Sequence, residues 1–250
     1  MLKFFRKIRR KLISENKLSK YLIYAIGEII LVVIGILIAL QINNWNENRK
    51  NSNQEKVVLE TLLENLSLAK NQSEIMISEE SLLKKRLISV LGLESSEKRN
   101  LIIPDSLFMY AVWELQSDQP TFNTYFNLKS TDQLGLIKNK KITEKFTDLE
   151  FALNRLNDIL EDRLSVHQIR IDDILEQDIN FIQIVKTNIP EINIENETKN
   201  DYQKLLSIPR VRNLLAMKLT FSHDTIDRRV DLDKEINELI ILIKNELRDK

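Results

Sequence analysis

The stretch that decides the fold is YLIYAIGEIILVVIGILIALQI, residues 21–42, in which only Glu28 and Gln41 are strongly polar. Read as a helix rising about 1.5 Å per residue, it reaches about 33 Å, against a hydrocarbon core of about 30 Å. Residues Ile29–Leu40 contain no polar side chain at all. The alternative is a buried core helix, and a run this long with no polar face at all favours the membrane span over it. Tyr21 and Tyr24 before it and Trp45 after it stand where the two aromatic belts of a membrane are expected. A cleaved signal peptide is the rival. Its apolar run would be about 7–15 residues long and end at small side chains. This run is longer and leaves through Ala39-Leu40-Gln41-Ile42-Asn43, a poor cleavage site, so an uncleaved anchor is expected.

Charge on either side of the span sets its orientation. Eight Lys or Arg and one acid, Glu15, lie within residues 1–20, whereas the twenty residues after the span hold only Arg49, Lys50 and Lys56. The positive-inside rule keeps the N-terminus in the cytoplasm and exports the rest. Four segments follow: a basic cytoplasmic segment 1–20, a transmembrane helix 21–42, a juxtamembrane segment 43–56, and an extracytoplasmic domain 57–250.

Glu28 is out of place in such a span. An ionised group at mid-bilayer costs about 3 kcal/mol on insertion scales. One reading has it snorkel, stay protonated, or pair with Lys17 or Lys20. Another uses helical geometry: at 100° per residue Tyr21, Tyr24, Glu28, Gly35, Ala39 and Ile42 fall within about 40° of one line. Gly35 and Ala39 form a small-xxx-small pair, which lets two backbones approach closely. Glu28, Gly35 and Ala39 are therefore the candidate residues for association of the span.

Over all 250 residues, 37 basic side chains balance 37 acidic ones. A nucleic-acid-binding domain would carry a clear basic excess, so that class is excluded. Cysteine is absent, which removes disulfides, thiol catalysis and Cys-ligated zinc. Gly and Pro number four each, far below average usage of about 7% and 5%. So few breakers in a Leu/Ile/Glu/Lys/Asn-rich chain point to long helices.

The pattern beyond the span agrees. Leu59, Leu62, Leu66, Ala69, Ser73, Met76, Glu80, Leu83, Leu87 and Val90 alternate steps of three and four, the seam of a coiled-coil-like helix over about 46–91. Gly92 ends it, and a charged loop runs over 94–100. A short helix capped by Asp105 or Ser106 and another beginning at Pro120-Thr121 carry most of the aromatic residues. Ile142, Phe146, Leu149, Leu153, Leu156 and Leu160 mark a second long helix, extending to about Ile182. A polar loop occupies Asn188–Asn200, with a brief extended piece at Ile192–Ile194. A short helix over Asp201–Leu206 follows. Ser207 and Pro209 then open a last long helix to about Leu247. The expected fold is all-α: a transmembrane helix followed by an elongated antiparallel bundle of three long helices with two or three short ones.

No motif for catalysis or a cofactor is present. The chain lacks a phosphate loop, G-x-S-x-G, H-E-x-x-H and Glu-x-x-His pairs. Of its two histidines, His223 shares a helix face with Asp227, which is half a metal site at most and reads better as a solvated face. His167 falls near a helix seam and reads as a half-buried ring. No catalytic, cofactor or metal residue is assigned, and no enzyme activity is expected. Trp113, Phe122, Tyr125 and Phe126 form the one candidate surface for a ligand or partner. Its plain alternative is ordinary core beneath short helices.

The opening fifty residues, FRKIR followed by YAIGEIILVVIGILIALQINNWNE, resemble the signature of a bacterial family of uncharacterised single-span membrane proteins, catalogued as a domain of unknown function. Phe122-x-x-Tyr125 and Leu136-Ile137-Lys138-Asn139 resemble it too, in the same order. The resemblance implies the bacterial inner membrane and brings no activity with it. The expected function is thus a membrane-anchored interaction or scaffold protein, a homo-oligomer or partner of another membrane protein. The alternative is a ligand-sensing outer domain that signals to a membrane partner.

Overall fold

The structure, a computed structural model, describes residues 18–94 and 102–249. The basic residues up to Lys17 and most of the charged loop after Glu94 lie outside the described residues, as do the side chains of Lys20, Tyr21 and Tyr24. The chain divides into two compact units, Met1–Lys56 and Val57–Lys250. Among the described residues every regular element is helical. The first helix, α1 (Leu18–Val90), contributes to both units.

In the first unit the apolar side chains face outward, with Ile23 70% and Leu31 71% exposed. A helix satisfies its own backbone polar groups, so this surface suits hydrocarbon and is costly in water. Among the described residues, α1 is the one helix long and apolar enough to cross a membrane. Its most apolar 18 residues have a mean hydropathy of 2.6.

In the second unit α1 ends in a Schellman turn. Gly92 takes a left-handed φ of 62°, which a side chain would resist. The Leu93 N–H then bonds the Ile88 carbonyl, and the Gly92 N–H bonds that of Ser89, both at 3.0 Å. Helix α2 (Asp105–Val112) starts from Pro104 with no side-chain cap. Asp105 is engaged elsewhere, accepting a 2.5 Å hydrogen bond from the Tyr202 hydroxyl. Pro120-Thr121 does not open the next helix, because the N–H and hydroxyl of Thr121 are both held by Gln72 Oε1 on α1, at 2.8 and 3.0 Å. Helix α3 (Asn123–Ser130) begins after it, and a 3-10 turn spans Gln133–Leu136.

Helix α4 (Lys140–Val166) is capped by Asn139, whose side chain accepts from the Lys141 N–H. It does not continue to Ile182. After Val166 the backbone widens into a π-helical turn, His167–Ile171, then passes into α5 (Asp172–Gln177) and α6 (Phe181–Val185). The break lies at Asn180, which caps α6. Its N–H and carbonyl are both paired with the Asn200 side chain, at 2.8 and 3.0 Å. A pair of asparagines thus interrupts a stretch whose apolar spacing alone would carry the helix on. The segment Ile192–Ile194 is a bend followed by irregular chain and belongs to no strand. Helix α7 (Tyr202–Ser207) is capped by Asp201, and α8 (Pro209–Arg248) has proline at its first position.

Side-chain pairs give the directions of the long helices in this unit. Helix α8 meets α4 through Arg155–Asp231 at 3.6 Å, Arg163–Thr225 at 3.4 Å and the pairs of Lys145 with Glu235 and Glu238. It meets α1 through Lys70–Asn237 at 3.3 Å and Glu80–Ser222 at 2.8 Å. Numbers rise on one side as they fall on the other in both series. Helix α8 is therefore antiparallel to both, and α1 and α4 run parallel. Helices α2 and α3 and the 3-10 turn lie between α1 and α4 in chain order.

Two apolar clusters fill the unit. One gathers Leu59, Leu62 and Leu66 with Phe146, Leu156, Leu232 and Ile236, and takes in Phe122 and Tyr125. The other gathers Leu83 and Leu87 with Phe108, Ile171, Ile174, Tyr202 and Leu215. At their boundary α1, α4 and α8 present polar side chains where the seam positions continue.

Candidate functional site

Seam positions on three helices turn polar at matching heights: Ser73 and Glu80 on α1, Arg163 and then His167 after α4, and Lys218, Ser222, Thr225 and Arg229 on α8. All of them are buried. Glu80 is the hub. It accepts from Arg163 Nη1 at 2.8 Å through one oxygen and from the Ser222 hydroxyl at 2.8 Å through the other. Lys218 Nζ donates to the carbonyls of Val112 at 2.5 Å and Glu114 at 2.7 Å. It thereby closes the C-terminal end of α2, where carbonyls lack helical partners. Arg229 donates to the Asp118 carbonyl at 2.9 Å.

Burial and neighbouring cations shape the titration here. Burial first, then Arg163, lowers the Lys218 ammonium to about 7, against the opposing pull of Glu80. Burial first, then Lys218 and Arg163, lowers His167 to about 4. The imidazole is thus neutral near pH 7.

His167 also floors a cleft of about 880 Å³. One wall is apolar, built from Leu164, Leu175, Ile179, Phe181 and Ile182 with Trp113. The Trp113 ring stacks on Phe181, with centroids 4.6 Å apart, and stays 45% exposed. The polar groups are Glu114, Asp172, Glu176, Gln168, Asn180 and Ser117, and among the described residues no Lys or Arg lines the cleft. Asp172 lies 3.5 Å from His167 Nε2. Burial, then Glu176, raises its carboxyl. His167 opens the π-helical turn and is among the lining residues of this cleft, and such turns are often found at functional sites.

The four aromatic residues singled out in the sequence are distributed between different surroundings. Trp113 lines the cleft. Phe122 and Tyr125 lie in the first apolar cluster, where Tyr125 stacks on Phe146 at 4.4 Å and donates to Glu150 at 2.8 Å. Phe126 is 45% exposed beside Tyr125. In the other unit Glu28 is half-buried, while Gly35 and Ala39 are exposed. His223 is exposed, 3.8 Å from Asp227 and 3.4 Å from Lys84. Arg163, Lys218 and Arg229 were not anticipated. Their signal was a polar residue at a position where the apolar spacing demands a hydrophobic one.

Residues 28–106 match the model of a family of unknown function (DUF6090). No curated protein and no solved structure matches the chain. The matched stretch includes Glu80 but ends at Ser106, before every residue that lines the cleft. The similarity therefore covers most of α1 and leaves the chemistry of the cleft to be argued from its geometry.

The low pKa of His167 has a measurable consequence. The unfolded chain takes up this proton near the ordinary 6.5, the folded chain only near about 4. The contribution of His167 is complete above the higher value and is lost as pH falls between the two. Chemical unfolding across that window should show a shallower loss of stability for His167→Gln than for the parent protein. Equal slopes would contradict the assignment.

Proposed function

We propose that this chain is a single-span protein of the bacterial inner membrane whose extracytoplasmic helical bundle binds a small organic cation with an apolar body. The observation that supports it is the cleft at Trp113. Its volume falls in the range of small-molecule sites, about 300–1,000 Å³. Asp172, Glu176 and a neutral imidazole share the lining with apolar side chains and no Lys or Arg, while Glu114, also in the lining, is paired with Arg86 at 3.0 Å. A cation entering there relieves the crowding of Asp172 and Glu176, and its charge meets the exposed part of an aromatic ring. The basic residues before the span support a cytoplasmic N-terminus, and hence a cleft on the outer side. Occupancy would be passed through the span to a partner protein.

The test uses the fluorescence of Trp113 in a Trp45→Phe background, titrated with a panel of aromatic and aliphatic amines and their matched alcohols and carboxylates. Saturable change with amines, weakened about tenfold in Asp172→Asn and lost with Trp113→Ala, is the expected result. A stronger response to carboxylates, or none to amines, would sink the reading.

A second reading is an interaction or scaffold role carried by the span. Supporting it, a side chain at Gly35 would meet no atom within 4 Å, so that the position is open to a second helix. Glu28 and Ala39 lie on the same stripe. Gly35→Leu should weaken self-association at least several-fold in a membrane two-hybrid assay, and unchanged association would remove this role.

A further inference from the structure

The buried layer beside the cleft carries more positive charge than it uses. Arg163, Lys218 and Arg229 are 4%, 6% and 1% exposed, and the one carboxylate equally buried with them is Glu80. The other acids that bear on the layer stand at its rim: Glu79 and Asp118 are exposed, and Glu114 is already paired with Arg86 at 3.0 Å. Asp172 is 40% exposed at its side chain and lies beside His167.

The hydrogen bonding is incomplete in the same place. Arg163 uses Nη1 for Glu80 and Thr225, leaving Nε and Nη2 buried and unpartnered. Arg229 uses Nη2 and leaves Nε and Nη1 in the same condition. Lys218 has two carbonyl partners for three N–H donors. A buried guanidinium with idle donors is costly, and the cost falls when an anion takes them up. His167 Nδ1 is likewise buried without a partner.

A cavity lies among these groups. It is lined by Arg163, Lys218, His167 and Ser222, closed over by apolar side chains that include Leu83 and Phe221, and measures about 10 Å³. That is about the room of a single water-sized body. Phosphate, carboxylate-bearing metabolites and the ligand of the large cleft are all too big for it.

We propose that this cavity is a binding site for one small monovalent inorganic anion, of the size of chloride, held by Arg163 and Lys218 within the polar layer. With Lys218 protonated, the anion brings the buried charge to near balance, two negative groups against three positive ones. It accepts from the idle nitrogens of Arg163 and from the third proton of Lys218. It works as a structural part of the layer, next to the large cleft, with which the cavity shares His167.

The test measures thermal unfolding of the full chain in detergent micelles at constant ionic strength, exchanging sodium gluconate for sodium chloride or bromide. Gluconate is too large to enter. The expected result is a saturable rise of roughly 5–10 °C at about a hundredfold excess over the dissociation constant, absent in Lys218→Met. Because Lys218 also closes α2, that variant could lose its fold. A second measurement on the unaltered protein therefore stands beside it: broadening of the chloride NMR line that bromide reverses at millimolar concentration. Equal unfolding temperatures in chloride and gluconate, with no chloride broadening, would overturn the proposal and leave a water molecule only.

Discussion

The Glu80 carboxylate and the Arg163 guanidinium meet at 2.8 Å where neither is more than 4% exposed. Removing both from water costs several kcal/mol each, and their attraction repays it only if the two helices stay in one register. Slide α1 one turn along α4 and a carboxylate and a guanidinium are buried opposite leucines. Apolar seams tolerate such a slip far better, because one leucine resembles the next. The polar layer therefore sets the alignment of α1, α4 and α8, and the two apolar clusters supply most of the stability on either side of it.

The cleft depends on the same layer. Burial first, then Lys218 and Arg163, lowers His167, so the ring that lines the cleft is neutral where a charged one would repel cations. Lys218 closes the last carbonyls of α2, and the chain leaves that helix directly into Trp113 and Glu114, which form part of the cleft lining. The break at Asn180 turns α6 so that Phe181 stacks on Trp113. An uninterrupted helix to Ile182 would have carried Phe181 past that ring. The lining of the cleft thus includes residues at two departures from regular helix, the π turn at His167 and the break at Asn180, which pairs with Asn200.

Helical class and the positions of the long helices were legible in the sequence, since three-and-four spacing and the scarcity of Gly and Pro act locally. Gly92 was legible as a helix end because only glycine takes its left-handed turn cheaply. What was not legible depends on distant partners. Thr121 is a helix starter until Gln72 holds its donors, and Asp105 a cap until Tyr202 takes its carboxylate. The break at Asn180 requires Asn200, twenty residues on. The candidate site was half legible. Trp113 was singled out for its aromatic character, but Phe122 and Tyr125 carried the same signal and lie in the core. Glu80 stood in the sequence as one seam position among ten, and its polarity, like that of Arg163, Lys218 and Arg229, gains its meaning only when the three helices are set side by side.

A double-mutant cycle of Glu80→Leu and Arg163→Met, read by chemical unfolding of the full chain in micelles, tests the central role of this pair most directly. Each single variant strands one buried charge and should lose roughly 3–5 kcal/mol, while the double variant loses little more than the milder single, a coupling of about 3 kcal/mol. Losses that add to within about 0.5 kcal/mol would show that the two residues act independently, and would contradict the account.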